Sequence, residues 1–542
     1  MKIADKIIHL RKTNHLSQDE LARALEVSRQ SLCKWEKGNI EPRPDKVIEL
    51  AKLFKISIDD LIDDDVDLIK TNNRVVDRNY KPRYFSTNGY RGEANKELTS
   101  DDAYKIGRFL GWYYSIPQLN KQKPWHKARI VIGKDTRRSS YMFEYAIAGG
   151  AASSGADVYM MHVTTTPSVG FIVRSEFFDC GVMITASHNP SYDNGIKLVD
   201  NKGEIIDDNL LYLLEAYLDN DLSALGINDS DLPFAKRSDI GIISDFEVGR
   251  EKYINYLASL SKYSLNSLKI GLDTGNGASY SIAKTVFESL GAQLFVINNE
   301  PNGININDDS GSTHINSLCE YVKDNKLDIG FAFDGDADRC IAVDEKGNQA
   351  DGDKIIYLLA NKLKKQKALN ENAVVITEMS NTGLIDALKE VGIKTVISDV
   401  GDRNVLEKMI DGGYELGGEQ SGHIIMKKYA TLSDGILTAL MIVDDLLEKK
   451  LPLSELVKPV RLIPQIIKTI YVDKKEKTYN NLIKRNEFQN IKKEISKKGR
   501  LLIRASNTES AIRIMVEYND TKACLLYIDK LCSFLTSNRG VI

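Results

Sequence analysis

DIGFAFDGDADR, residues 328–339, decides how the chain is read. Its first half is a short apolar run that reads as a β-strand. Its second half places Asp334, Asp336 and Asp338 at alternate positions on a short loop. Carboxylates so close repel one another unless a cation lies between them. Hard oxygen donors in so small a set, with no His or Cys, suit Mg²⁺. An EF-hand loop is the rival, because Asp334, Asp336, Asp338 and Glu345 fall at its positions 1, 3, 5 and 12. Its sixth position requires glycine and here is Arg339, and the run before it reads as strand and not helix, so the rival is rejected.

Working outward, ARIVIG, CGVMIT, LKIGLD and AVVIT are runs of the same kind, and they alternate with helical stretches. That alternation predicts α/β layers with mixed or parallel sheets. Directly after CGVMI comes TASHNPSYDNGIK, residues 185–197, an exposed turn carrying Ser187. Alone, such a turn is more often structural than chemical. It is not the G-x-S-x-G elbow, which disfavours acyl-enzyme chemistry. GGEQSGH, residues 417–423, combines glycines for close backbone approach with Glu419, Ser421 and His423, groups that bind hydroxyls. RASNTESAIR, residues 504–513, offers two guanidiniums and small polar donors in a turn, which is phosphate-binding chemistry. Neither fragment is specific alone. Together the four motifs fit one reaction: a serine that carries phosphate, Mg²⁺ to neutralise it, a sugar clamp and a distal phosphate clamp.

With these motifs in this order, residues 83–542 resemble the alpha-D-phosphohexomutase superfamily over their full length. LDTGNGASYSIAKTVFESLGA, EPNGININDDSGSTH, FAFDGDADRCIAVD, VGDRNVLEKM and GGEQSGHI are similar to its phosphoglucosamine mutase branch. Gln420, where phosphomannomutase/phosphoglucomutases tend to have Met, points the same way. So does Gly401-Asp402-Arg403, where they tend to carry a Gly-His pair. The resemblance implies three α/β domains with mixed sheets and a smaller C-terminal α+β domain. It also implies a phosphoserine at Ser187 and Mg²⁺ held by Asp334, Asp336, Asp338 and a phosphoryl oxygen of Ser187. Lys197 would be the general acid/base, with Arg91, His188 and Arg339 supporting the phosphoryl group. Glu419, Ser421 and His423 would hold sugar hydroxyls, and Arg504, Ser506, Asn507, Thr508 and Arg513 the distal phosphate. Glucosamine 6-phosphate and glucosamine 1-phosphate would interconvert through a bound 1,6-bisphosphate. Some positions depart from the pattern. Ser86 and Asn88 stand in FSTNGYRG where FGTDG is usual, Asn404 replaces a common Tyr, and Asn507 and Ser510 replace Gly and Pro. A phosphomannomutase/phosphoglucomutase therefore stays the alternative.

The N-terminus differs in kind. Ile3, Ile7, Ile8 and Leu10 predict an amphipathic helix. Ser17 with Glu20 reads as a capping box for a second helix to about Leu25, and Ser28 caps a third that ends at Gly38. Pro42 and Pro44 introduce a fourth, with Val47, Ile48, Leu50 and Ala51 inward. LSQDELARALEVSRQSLCKWEKG resembles the Cro-like helix-turn-helix of phage repressors over residues 3–61. That resemblance implies a third helix in the major groove, with Arg29, Gln30, Ser31 and Lys34 on bases and phosphates and Gln18 at the backbone. Paired half-sites would make the protein a homodimer. The charge support is weak: residues 1–61 carry 12 Lys and Arg against 10 Asp and Glu. The bland alternative is a helical module for protein contacts. A regulator whose mutase body only senses a sugar phosphate is the rival of another class, disfavoured because Ser187, Lys197 and all three aspartates are present.

The expected boundaries are 1–62 for this head, 63–82 for an acidic and polar linker, and 83–235, 236–350, 351–462 and 463–542 for the four mutase domains. Asp59, Asp60, Asp63, Asp64, Asp65 and Asp67 mark the linker. Bulk properties agree with a multidomain globular chain: 542 residues, 42% hydrophobic, 27% charged, net charge −3. Six scattered cysteines without CxxC spacing, no apolar leader and no run of 18 apolar residues predict a cytoplasmic protein that does not span a membrane.

Overall fold

The computed structural model describes residues 2–13, 18–25, 27–38, 40–54, 61–62, 82–86, 89–115, 127–225, 227, 230–505 and 510–536. The expected linker, 63–82, and the capping Ser17 lie outside these residues, apart from Pro82. The chain divides into two compact units. One comprises residues 1–82, 116–126 and 207–231, the other 83–115, 127–206 and 232–542.

In the first unit, helices Ile3–Thr13, Gln18–Ala24, Arg29–Glu36 and Pro44–Leu53 form the head. Ile7, Leu10, Leu21, Leu25, Leu32, Trp35, Val47, Leu50 and Leu61 make its core. Each such side chain contributes about 1.5–3 kcal/mol of burial. Ser28 caps the third helix as expected, accepting from the Ser31 amide at 3.1 Å, and Gly38 takes φ +68 just past its end. Ile48 is a correction. It was expected inward, but it is 41% exposed while Val47, Leu50 and Ala51 are buried. One residue turns a helix by about 100°, which carries position 48 off the stripe shared by 47, 50 and 51.

The second unit holds four sheets. The first is mixed and seven-stranded, in the order Phe85–Ser86, Gly89–Glu93, Asp193–Asp200, Cys180–Ile184, Arg129–Lys134, Asp157–Val163, Ile243–Asp245. Its last strand pairs in parallel with Asp157–Val163, so this sheet extends beyond residue 235. The second sheet runs Gln349–Ala350, Cys340–Val343, Ile329–Phe333, Lys269–Asp273, Gln293–Ile297. The third runs Lys394–Ser398, Ala373–Thr377, Leu416–Gly418, Ile424–Met426. The fourth is antiparallel, Gln465–Tyr471, Ala511–Tyr518, Gly499–Ala505, with helices Lys475–Ile483, Asn486–Ile495 and Thr521–Thr536. Three mixed α/β layers and a smaller α+β domain after an all-helical head are the architecture the sequence predicts.

Every apolar run quoted above is a strand, and Cys180–Ile184, Ile329–Phe333 and Ala373–Thr377 are buried at every position. One continuous core, from Tyr253 to Val460, joins the second and third sheets through helices Gly352–Lys365 and Gly435–Lys449. The C-terminal sheet packs on its own core, which includes Leu482, Phe488, Ile514 and Leu531. Among the described residues no helix is long and apolar enough to cross a membrane.

Candidate active site

In α/β layers the loops beyond the carboxyl ends of strands gather the chemistry. Ser187 follows strand Cys180–Ile184, Asp334 follows Ile329–Phe333, Asp402 follows Lys394–Ser398 and Glu419 follows Leu416–Gly418. The first two loops meet. Ser187 Oγ donates to Asp334 Oδ2 at 2.7 Å and lies 3.3 Å from His188 Nδ1. A Cβ on Gly335 would come within 2.5 Å of the Ser187 carbonyl oxygen, so only glycine permits this approach.

Ser187 has φ +52, a left-handed conformation that costs an L-residue roughly 1–2 kcal/mol. Its surroundings impose it. Its amide donates to Thr185 Oγ1 at 2.9 Å. Its carbonyl accepts from Arg137 Nη2 at 2.9 Å and from Asn307 Nδ2 at 2.8 Å. The Arg137 guanidinium is fully buried and paired with Asp135 at 2.8 Å, and it also donates to the carbonyls of Asn189, Pro190 and Asp193. Asp135 in turn accepts from the hydroxyls of Thr185 and Ser140.

Asp334, Asp336 and Asp338 bring one carboxylate oxygen each within 4.8 Å of one another, all buried. Burial, and then the charges of Asp338 and Asp336, push Asp334 up to about 7. Asp336 Oδ1 is buried without a hydrogen-bond partner. Its other oxygen accepts from Thr166 Oγ1 and from Lys197 Nζ at 2.6 Å, and Lys197 also reaches Asp338 at 2.7 Å. Burial alone would lower the Lys197 pKa, but Asp336 and Asp338 outweigh it and raise it. A raised, crowded carboxylate and an orphaned buried oxygen are the marks of a cluster shaped for a cation.

His423 lies between Asp338 and Glu419, with Nε2 and Nδ1 each 3.0 Å from a carboxylate oxygen. Burial opposes its charge, yet Asp338 and Glu419 raise it to about 10 against the nearby Arg339, whose Nε lies 3.1 Å from Nε2. Glu419 Oε1 also accepts from the Gly401 amide at 2.9 Å. An Asp402 carboxylate oxygen lies within 4.8 Å of ligand atoms of Asp338 and His423. Ser421 is exposed on the same turn. His188 is the opposite of His423: burial first, then Arg339 and Arg91, lower it to about 2, so it is neutral. Arg91, on strand Gly89–Glu93, is 3.4 Å from Asn189 Oδ1, and the Arg339 amide donates to Asp334 at 3.1 Å.

Arg504 and Arg513 face each other across the C-terminal hairpin. Burial and then Arg513 lower the Arg504 pKa, while Glu378, Glu419 and Asp399 act against this. Ser506, Asn507 and Thr508 lie outside the described residues. In the head, Arg29, Gln30 and Lys34 are exposed and Ser31 is half-buried. Gln18 donates to Glu36 at 2.6 Å, and Arg11 pairs with the same carboxylate. This engages the amide that the sequence assigned to a DNA backbone. Sequence reasoning missed Arg137, Asp135, Thr166 and Asn307. KDTRRSS directly after strand ARIVIG, a charged cluster at a strand end, was a signal for Asp135 and Arg137, and Asn307 lies in the quoted stretch EPNGININDDSGSTH.

Family models for phosphoglucomutase/phosphomannomutase match the chain in order: alpha/beta/alpha domain I at 82–223, domain II at 251–347, domain III at 351–462 and the C-terminal domain at 449–531. A helix-turn-helix model matches 7–61. The phosphoglucosamine mutase of Lachnospira eligens is 48% identical over 455 residues, 84% of this chain and 98% of its own length. That of Bacillus subtilis is 39% identical over 459 residues, 85% and 99% of the two lengths. A phosphoglucomutase/phosphomannomutase family protein from Burkholderia thailandensis has the same fold, with TM-score 0.68 and 23% identity over 84% of this chain and 98% of that one. So does Aspergillus fumigatus N-acetylphosphoglucosamine mutase in complex with GlcNAc-6P and magnesium, with TM-score 0.58 and 16% identity over 86% and 98%.

Proposed function

The chain belongs to the alpha-D-phosphohexomutase superfamily, and from that premise we propose that it interconverts glucosamine 6-phosphate and glucosamine 1-phosphate through a phosphoserine at Ser187. The observation that carries the reading is the Ser187 hydroxyl seated on the three-carboxylate cluster at 2.7 Å from Asp334. In the forward direction phosphoserine gives its phosphoryl group to O1 of the sugar; the O1 proton leaves to a base of the site, and Ser187 Oγ departs with a proton. The resulting 1,6-bisphosphate turns round. Ser187 Oγ then gives up that proton and takes the phosphoryl group from O6, and O6 regains a proton.

Lys197 is the candidate for the proton transfers at O1 and O6. It is protonated where it lies, so it is poised to donate. Asp336 and Asp338 hold that charge at 2.6 and 2.7 Å. His423, Glu419 and Ser421 are read as the groups that hold sugar hydroxyls; a hydroxyl would take His423 by replacing one of its two carboxylate partners, Asp338 or Glu419. Neutral His188 supports the phosphoryl group as a hydrogen-bonding group, beside the cations Arg91 and Arg339. Arg504 and Arg513, with Ser506, Asn507 and Thr508, are read as the clamp for the phosphate that is not reacting. That clamp orients the sugar with binding energy distant from the reacting atoms. Asp334, Asp336, Asp338 and Ser187 would hold Mg²⁺, which when bound supplies positive charge against the phosphoryl oxygens.

The test is turnover of glucosamine 6-phosphate, mannose 6-phosphate and glucose 6-phosphate, each with Mg²⁺ and a trace of the 1,6-bisphosphate. Glucosamine 6-phosphate should give the highest kcat/KM, and chelation with EDTA should lower the rate by at least about 100-fold. Preference for mannose or glucose phosphate would reassign the substrate. No turnover of any would sink the enzyme reading in favour of a sugar-phosphate sensor.

The helix-turn-helix supports a second reading, a DNA-binding head that makes the protein dimeric. Exposed Arg29, Gln30 and Lys34 on helix Arg29–Glu36 favour it. A gel shift on random duplex pools should weaken with salt, and the Arg29→Ala/Gln30→Ala pair should weaken it by at least about tenfold. No shift at low salt would leave the head as a protein-contact module.

A further inference from the structure

The two strands that carry Arg504 and Arg513 also carry an ion pair between a half-buried arginine and a buried glutamate. Arg500 and Glu517 face each other in the register of Gly499–Ala505 against Ala511–Tyr518, four residue pairs from Arg504 and Arg513. Side chains alternate with a period of two, so both pairs lie on one face, about 13 Å apart along the strands. The other face, with Leu501, Ile503, Ile512, Ile514 and Val516, packs on the core of the C-terminal domain.

Glu517 is 1% exposed, yet its carboxylate is fully engaged. Oε2 accepts from the Thr382 amide at 3.2 Å, from Arg500 at 3.2 Å and from Gln465 at 3.4 Å, and Oε1 accepts from the Thr382 hydroxyl. Arg500 donates further to the Ser380 carbonyl at 2.6 Å, and Gln465 to the Met379 carbonyl at 3.0 Å. Every partner outside the C-terminal sheet is therefore on 379–382, the turn between strand Ala373–Thr377 and helix Thr382–Glu390. Thr382 opens that helix, where free amides and the helix dipole favour a carboxylate. Asn381, its N-cap, holds Ile463 in the connection to the C-terminal sheet, accepting from its amide at 2.9 Å and donating to its carbonyl at 2.8 Å.

A buried carboxylate is an expensive way to hold two surfaces together, and apolar contact would do it as well. Directional bonds to one turn do what apolar contact does not, which is to fix the register of the sheet. We propose that Glu517, with Arg500 as its partner, is a positioning residue that fixes the C-terminal sheet on turn 379–382 and so sets where Arg504 and Arg513 meet the distal phosphate. The inference rests on the reading of those two arginines as the phosphate clamp. A sheet free to shift would grip the distal phosphate less well and let the 1,6-bisphosphate escape before Ser187 recovers its phosphoryl group.

The experiment compares full-length Glu517→Gln and Thr382→Val, which remove one charge and one hydroxyl, with Arg504→Ala. Melting curves establish that each is folded. KM and kcat for glucosamine 6-phosphate, the requirement for added 1,6-bisphosphate, and single-turnover transfer from phospho-Ser187 at saturating substrate are measured. Glu517→Gln should raise KM about tenfold, the loss of about 1.4 kcal/mol of binding. It should also raise the bisphosphate requirement and leave single-turnover transfer within about twofold. Thr382→Val should move the same quantities the same way by less, and it decides the matter if Glu517→Gln does not fold. If Arg504→Ala raises KM but both folded variants leave it unchanged, or lower kcat alone, the positioning role is overturned and the clamp stands. If Arg504→Ala itself leaves KM unchanged, the clamp reading falls and takes this inference with it.

Discussion

Ser187→Ala should abolish mutase turnover while the protein stays folded. The conformation of this residue is imposed through its backbone: Arg137 and Asn307 hold its carbonyl and Thr185 holds its amide. None of these contacts involves the hydroxyl. Alanine meets the same left-handed cost as serine, so the exchange loses only the hydroxyl's bonds to Asp334 and His188, about 1 kcal/mol each. The chemistry has no such reserve. No other hydroxyl among the described residues lies within hydrogen-bond reach of Asp334 Oδ2, so nothing else is placed to carry the phosphoryl group. The rate should fall by about 10⁴ or more, as when a nucleophile is removed. A coupled assay, a melting curve, and the loss of a phosphoryl mass from the peptide containing residue 187 check it together. Activity within tenfold of the parent would overturn the phosphoserine role.

Arg137→Met should do the opposite and damage fold and function at once. The guanidinium is fully buried, and it serves Asp135 and four backbone carbonyls. Methionine fills much of the volume but leaves Asp135 as a buried charge without its cation, which costs about 3–5 kcal/mol. A fall of roughly 10 °C in the melting transition should follow. Activity should fall as well, because the carbonyls of Ser187 and Asn189 lose a common anchor. Arg137→Lys should lie between, since one ammonium cannot occupy the fork of directions that the planar guanidinium fills. An unchanged melting temperature in Arg137→Met would show that Asp135 does not depend on this cation.

Both variants mark the limits of what the sequence reveals. Ser187 and the aspartates were legible because each follows an apolar run, and because carboxylates at alternate positions have few uses. Arg137 was not, since its value lies in carbonyls about fifty residues away, and nothing local separates it from Arg138 beside it. Asn307 is a further 120 residues from the carbonyl it holds. Thr166 reads as an ordinary helix start, although it bonds Asp336 across 170 residues. In the head, helical period located the buried stripe but not its edge, which is how Ile48 was drawn inward. Gln18 was assigned from its position in a motif, and its bond to Glu36 depends on a buried carboxylate that no pattern reports. Strand Ile243–Asp245 is short and partly exposed, so it lacks the apolar signal that revealed the other central strands.

The loop of Asp334–Arg339 is bonded through its backbone to its neighbours. Ala278 donates to Gly335, Thr166 to Asp336, Gly435 to Ala337, and Cys340, just beyond, to Gly422. It is a keystone common to three sheets. Under the proposed reaction, the two halves of the exchange present themselves to this one loop. O6 would be received where O1 was served, so the reversal of direction would belong to the sugar. Symmetry between the two phosphates would then be achieved by the ligand tumbling, with the keystone as the point about which it turns.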